Sequence, residues 1–204
     1  MFYETDDHHG LTRDPFKSLV APRPIGWISS QDADGRVNLA PYSFFNAVAS
    51  NPPIVMFASN GVHLEGGPKD SLKNAQETGE FVCNLATWEL REKMNASSEM
   101  LPREVDEFEI AGLTPVPSKL VKPPRVAESP AHLECVWLET VNLPSNNPDE
   151  PNNVVFGKVI GIHIDDSILR DGLIDMTAFR PIARLGYMDY TVVDTVFTMK
   201  RPGA

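Results

Sequence analysis

The chain has 204 residues, the length of one medium-sized domain. Its 18 Lys and Arg against 28 Asp and Glu leave a net charge of −10 and a pI near 4.9. A general binder of nucleic acid or of anionic lipid needs clustered cations, so neither class is expected.

A hydrophobic share of 42% fits a chain with a proper core, and two cysteines, Cys83 and Cys135, cannot build a disulfide framework. Residues 1–10 are acidic and polar, unlike a signal or transit peptide. The apolar run 154–164 is broken by Gly157, Lys158, Gly161 and His163 and is far too short for a membrane span. A soluble, cytoplasmic protein of a reducing compartment is expected.

Eighteen prolines punctuate the chain, against a typical share of ~5%, and short runs rich in Val, Ile, Phe, Tyr and Trp lie between them. Residues 24–30 and 36–42 flank Gln31-Asp32-Ala33-Asp34-Gly35 and predict a hairpin. Residues 54–59 and 81–86 are nearly continuous apolar runs, as in strands covered on both faces. The spacing predicts a helix over 69–78, capped by Asp70 or Ser71 and stopped by Gly79. A second helix is expected over 88–98 behind Thr87, and a short third around 104–108. Over 133–141, Leu133, Cys135, Trp137 and Val141 should face one side, with His132, Glu134 and Thr140 on the other. Residues 154–164 put Ile160, Ile162 and Ile164 on one face; 143–153 form an exposed polar loop, and 191–199 a last strand. The order of elements predicts one mainly β domain, a barrel or sandwich with peripheral helices.

Several chemistries lack their motifs. There is no Gly-x-Gly-x-x-Gly, no Gly-x-Ser-x-Gly, and no zinc-ligand spacing among the scattered histidines and cysteines. The informative stretch is 54–78, where an apolar strand, a Gly-rich loop and a helix start follow one another. Free backbone N–H groups and the positive helix end would converge there, with the charge of Lys69 and the hydroxyl of Ser71. Gly61 and Gly66 have the spacing of phosphate-loop glycines, but Gly67 stands where that motif requires Lys. The alternative is a solvated Lys69 and a loop in which Gly66-Gly67 only permit a turn.

Longer stretches carry a family pattern. Ala21-Pro22-Arg23-Pro24-Ile25-Gly26-Trp27-Ile28-Ser29-Ser30, then Asn38-Leu39-Ala40-Pro41-Tyr42-Ser43-Phe44-Phe45-Asn46, resembles the flavin reductase-like family of FMN-binding split β-barrels. So do Asn51-Pro52-Pro53-Ile54-Val55, Lys69-Asp70-Ser71-Leu72-Lys73-Asn74, Gly79-Glu80-Phe81-Val82-Cys83-Asn84-Leu85, Gly157-Lys158-Val159-Ile160 and Pro181-Ile182-Ala183-Arg184-Leu185-Gly186. The likeness spans residues 15–190 in order.

This resemblance implies a split β-barrel of Greek-key type and a homodimer with FMN in a cleft at or near the subunit interface. It implies hydride transfer from NADH or NADPH to FMN, with reduced flavin supplied to a partner monooxygenase; the alternative is a flavoredoxin-like electron carrier. FMN would carry the chemistry, so no acid or base side chain is required. Lys69 and Ser71 would bind the phosphate, Ser29 and Ser30 the ring or ribityl chain, and Ala40 and Ser43 would lie by the ring. Ser59 and Asn46 are further contacts. Trp27 packs in the core or stacks on the ring. Arg23 is a cofactor-side cation or a dimer ion pair, and Asn46 could instead turn the chain at Ala47. The chain departs from the family in having Ser71 where many relatives have Thr, a looser Gly66-Gly67-Pro68, and Tyr187 where a second glycine is common.

Overall fold

The computed structural model describes residues 1–203. Strand β1 (Arg23–Pro24) leads into β2 (Gly26–Gln31), which turns back as β3 (Val37–Tyr42), with Gln31 opposite Val37. The Asp32 carboxylate fixes this reversal, accepting from the backbone N–H of Asp34 (3.0 Å) and Arg36 (2.8 Å). Strands β4 (Phe45–Ser50) and β5 (Pro53–Asn60) form the next hairpin. Helix α2 (Asp70–Thr78) follows α1 (Phe16–Leu19) in chain order and stops at Gly79, whose φ of 77° suits a residue without Cβ. Strand β6 (Glu80–Leu85) then enters the sheet. Helix α3 (Arg91–Ala96), helix α4 (Glu107–Ile110) and the two-residue strands β7 (Pro115–Val116) and β8 (Arg125–Val126) lead to the long hairpin β9 (Ala131–Leu143) and β10 (Asn152–Ile164). Two more two-residue strands, β11 (Leu169–Arg170) and β12 (Leu173–Ile174), and helix α5 (Met176–Phe179) precede β13 (Ile182–Arg184) and β14 (Tyr190–Val192).

Seven strands make one antiparallel sheet in the order β3-β2-β6-β9-β10-β5-β4, curled far enough that β3 also touches β5. Its side chains feed two cores. Ile28, Phe57, Phe81, Cys83, Cys135 and Val155 fill the barrel interior under Leu72 and Ala75 of α2. Trp27 and Leu39, on the opposite face, pack against Met94, Phe108, Val126 and Ile182. Alternation along β2 thus sends Trp27 and Ser29 one way and Ile28 and Ser30 the other. A second sheet, β1-β13-β14, lies beside the barrel.

Several boundaries differ from expectation. The last strand ends at Val192, and residues 193–203 have no regular structure, because they find no partner strand. Lys69, not Asp70 or Ser71, is the cap of α2 and supplies no side-chain cap bond. The second helix begins only at Arg91, and the third starts behind Asp106, whose carboxylate accepts from Phe108 N. On the face of β9 opposite Cys135, Glu134 is fully buried and accepts from Lys119 N (2.8 Å), Leu120 N (2.6 Å) and His163 Nε2 (2.5 Å). Ile160, Ile162 and Ile164 share a face as expected, and that face is exposed.

Candidate functional site

Two adjoining cavities open where the turn between β3 and β4 meets the start of α2. The larger, about 570 Å³, is floored by Pro41, Tyr42, Ser43 and Phe44 and bounded by Ala58 and Asn60 of β5. The smaller, about 130 Å³, lies against Ala40, Val62, Leu64 and the 97–101 segment. Pro41, Tyr42 and Lys69 line both.

Lys69 sits at the junction. It forms no ion pair among the described residues, and burial holds its ammonium below the usual lysine range. Beside it the N–H groups of Asp70 and Ser71 have no backbone acceptor, since Leu72 and Lys73 are the first in α2 to bond back, both to Lys69 O. Asp70 also lines the smaller cavity, and its carboxylate is paired with Arg103 and lies 3.4 Å from His63 Nε2. Arg103 also donates to the carbonyls of Gly66 (2.9 Å) and Pro68 (3.1 Å), which pins the Gly-rich loop. The larger cavity is lined by four cationic side chains, Lys17, Arg23, Lys69 and Arg184, and one carboxylate, Asp14. In a chain of net charge −10 this is a local reversal of sign.

Ala40, Ser43, Arg23 and Lys69 therefore stand on the cleft. Ser30, Ser59 and Ser71 converge just beneath its floor. Asn38 Nδ2 donates to Ser71 Oγ (2.8 Å) and Ser30 Oγ (3.2 Å), and Asn74 Nδ2 donates to Ser30 Oγ (3.1 Å). All three serines are fully buried. Burial pushes the Tyr42 phenol up, offset by the neighbouring Ser71 and Ser59 hydroxyls, while Ser59 Oγ has no partner at hydrogen-bond geometry. This polar layer holds the floor; its hydroxyls do not line either cavity.

The structure decides for the core reading of Trp27 and corrects the expected Ser29 contact. Trp27 has no exposed surface, and its Nε1 donates to Ser97 Oγ (2.8 Å) in the core, leaving no ring face to stack on. Ser29, also fully buried, donates to Pro124 O (2.5 Å) and accepts from Asn84 Nδ2 (3.0 Å) on the face away from the cleft. Asn46 is exposed, lines neither cavity and accepts from Ala47 N (2.9 Å), as its turn reading requires.

Arg23 lines the cavity as an anchor. Its Nη1 donates to the carbonyls of Lys17 and Val20, tying the amino-terminal arm down, and its Nε has no acceptor. The arm passes close because Gly186 has no side chain: a Cβ there would lie 1.9 Å from Ser18 Oγ. Sequence reasoning passed over Asn60 and Lys17. Asn60 could have been found, since it shares the outward face of β5 with Ala58.

A curled seven-stranded antiparallel sheet with short helices around it defines the split-barrel class. Residues 19–183 match the family model described as flavin reductase like domain, and the chain belongs to that family. It is 43% identical over 169 residues to an uncharacterized protein of Aquifex aeolicus, covering 82% of this chain and 83% of the relative. Among solved structures it resembles nitrilotriacetate monooxygenase component B from Bacillus cereus, at 29% identity and a TM-score of 0.85, covering 98% of this chain and 99% of the other. The flavoredoxin of Desulfovibrio vulgaris shares the fold at 20% identity, with a TM-score of 0.75 and coverage of 100% and 99%.

Proposed function

We propose that the protein binds FMN in this cleft and transfers hydride to it from NADH or NADPH. The observation that carries the reading is Lys69, unpaired at the junction of both cavities, beside the free amides of Asp70 and Ser71. An ammonium and helix N–H groups aimed at one point suit a phosphate. The larger cavity's volume falls within the roughly 300–1,000 Å³ of cofactor sites. When bound, FMN supplies the redox chemistry: it accepts a hydride from a nicotinamide.

The chain's own part is to hold and orient. Lys69 and the α2 amides fix the phosphate end. Ala40 and the Pro41–Ser43 backbone offer a flat edge to the ring, and Phe44 excludes water from it. The buried layer of Ser30, Asn38, Ser71 and Asn74 keeps β2, β3 and α2 in fixed relation, so the floor keeps its shape. Likeness to a monooxygenase component B supports delivery of reduced flavin to a partner monooxygenase.

The proposal extends to a homodimer. Val48, Leu138, Ile160, Ile162 and Ile164 are each more than a third exposed on β4, β9 and β10, an apolar surface that a second copy would cover. Light scattering after gel filtration checks it, and a monomeric mass rejects it.

The central test is anaerobic mixing of FMN-loaded protein with NADH and with NADPH. Bleaching of the flavin's long-wavelength band by either nucleotide is expected. A band untouched by both, with FMN bound, removes the hydride-transfer reading and leaves an electron carrier.

A further inference from the structure

Placing a phosphate at Lys69 leaves most of the larger cavity's positive charge unused. Lys69 lines both cavities, whereas Lys17, Arg23 and Arg184 line only the larger one. These three come from a different wall: Lys17 from α1, and Arg23 and Arg184 from β1 and β13, where they stand opposite each other in register. Like charges at such a position repel, and the Arg23 guanidinium is held below its usual range by burial and by Arg184.

None of the three forms an ion pair among the described residues, and Asp14 is the single carboxylate lining the cavity. Arg184 is nevertheless held in place. It donates to Tyr190 Oη and Tyr187 O, and its guanidinium lies 4.5 Å from the Tyr190 ring centroid. The rings of Phe44 and Tyr187 line the same space. A held, half-buried guanidinium with a second cation and aromatic rings beside it has the chemistry to take a planar anion.

Resting on the FMN reading above, we propose that the Lys17–Arg184 wall is a second anion subsite. It holds the carboxylate or phosphate of a planar co-substrate that shares the cavity with the flavin. The anion has two sources, the carboxylate of an aromatic electron acceptor or a phosphate of the nicotinamide donor.

The test uses the full chain saturated with FMN, with loading first verified by quenching of flavin fluorescence. Benzoate, its uncharged analogue benzamide, and AMP are then titrated separately, reading perturbation of the flavin absorption band. Benzoate or AMP should perturb the band where benzamide does so weakly. Arg184→Gln should weaken that anion about tenfold, the effect of losing one charge-assisted hydrogen bond. Lys17→Gln should weaken it less, and neither variant should alter FMN quenching. A response to benzoate assigns the subsite to a carboxylate acceptor, and a response to AMP alone assigns it to the donor. Equal responses to benzoate and benzamide, silence with both anions, or insensitivity to both substitutions overturns the subsite while FMN quenching still stands. Absence of quenching at the outset overturns the FMN reading and this one with it. Lys17 is exposed, so its variant keeps the test open should Arg184→Gln misfold.

Discussion

Replacing Lys69 with Gln isolates the interaction on which the cofactor reading turns. The side chain is half-buried, faces both cavities and has no ion-pair partner, so the change breaks no internal contact of known strength. A hydrogen bond to a charged group contributes about 1.5–3 kcal/mol. Lys69 remains partly open to water, so the upper end is discounted to about 2.5 kcal/mol. The expected loss of FMN affinity is then about 10- to 70-fold. Binding should not vanish, because the N–H groups of Asp70 and Ser71 remain free at the helix start to donate to a phosphate. The assay is flavin fluorescence quenching, run in parallel with FMN and with riboflavin, which lacks the phosphate. Wild type should prefer FMN; the variant should lose that preference and bind riboflavin as before. Added salt should shrink the wild-type preference, since the ammonium is not fully shielded from solvent. Equal weakening of both flavins, or unchanged FMN affinity, would place the phosphate elsewhere and refute the reasoning.

Ser71→Ala tests the floor. Its Oγ accepts from Asn38 below the cleft, so unfolding in urea should show a loss of about 1 kcal/mol, with FMN and riboflavin weakened alike. Gly157→Ala should destabilise by about 1–3 kcal/mol, because the new Cβ would lie 2.2 Å from Cζ of the fully buried Phe81; trimming that ring with Phe81→Leu should recover part of the loss. His132 governs acid sensitivity. Burial lowers its pKa from 6.5 to about 4, outweighing its bond to Val126 O. Between those values the unfolded chain takes up a proton that the folded chain refuses, so stability falls with pH by up to about 3 kcal/mol. Urea midpoints in His132→Asn should be flatter across that window; equal slopes in both proteins would assign the acid loss to other groups.

What could be read from the sequence was local. The β2–β3 hairpin was legible because Asp32 and Gly35 fix a reversal within five residues. The start of α2 was legible because a strand, a Gly-rich loop and a helix are consecutive in the chain. Ser71 shows where the same reasoning stopped short. It lies three residues before Asn74 and four before Ala75, so it belongs to the helix face turned into the barrel. The spacing held that information, but the hydroxyl was assigned to the anion site from its place at the helix start, and the family resemblance repeated the assignment. Ser29 went astray, and Trp27 stayed between two readings, for another reason. Only the tertiary fold reveals that α3 and the 115–126 segment cover their face of β2, bringing Ser97 and Pro124 from 70 and 95 residues away. Arg184 opposite Arg23 likewise exists only through a long-range strand pairing.

That pairing also argues about function. Two guanidinium groups in register across a short sheet, with one of them buried, cost the fold stability that neutral residues would not. The fold uses the charge only lightly: Arg184 is held through a phenol and a carbonyl and Arg23 through two carbonyls, all neutral acceptors, and each guanidinium lies over one aromatic ring, Tyr190 (4.5 Å) and Phe44 (5.7 Å). Nor does solubility need it, since the chain carries an excess of ten negative charges. The cations are therefore best explained by what enters the cavity. An acidic exterior around a basic opening directs anions to that opening and leaves cationic molecules on the surface, so one charge distribution would serve both the proposed phosphate at Lys69 and the proposed acidic co-substrate at Arg184.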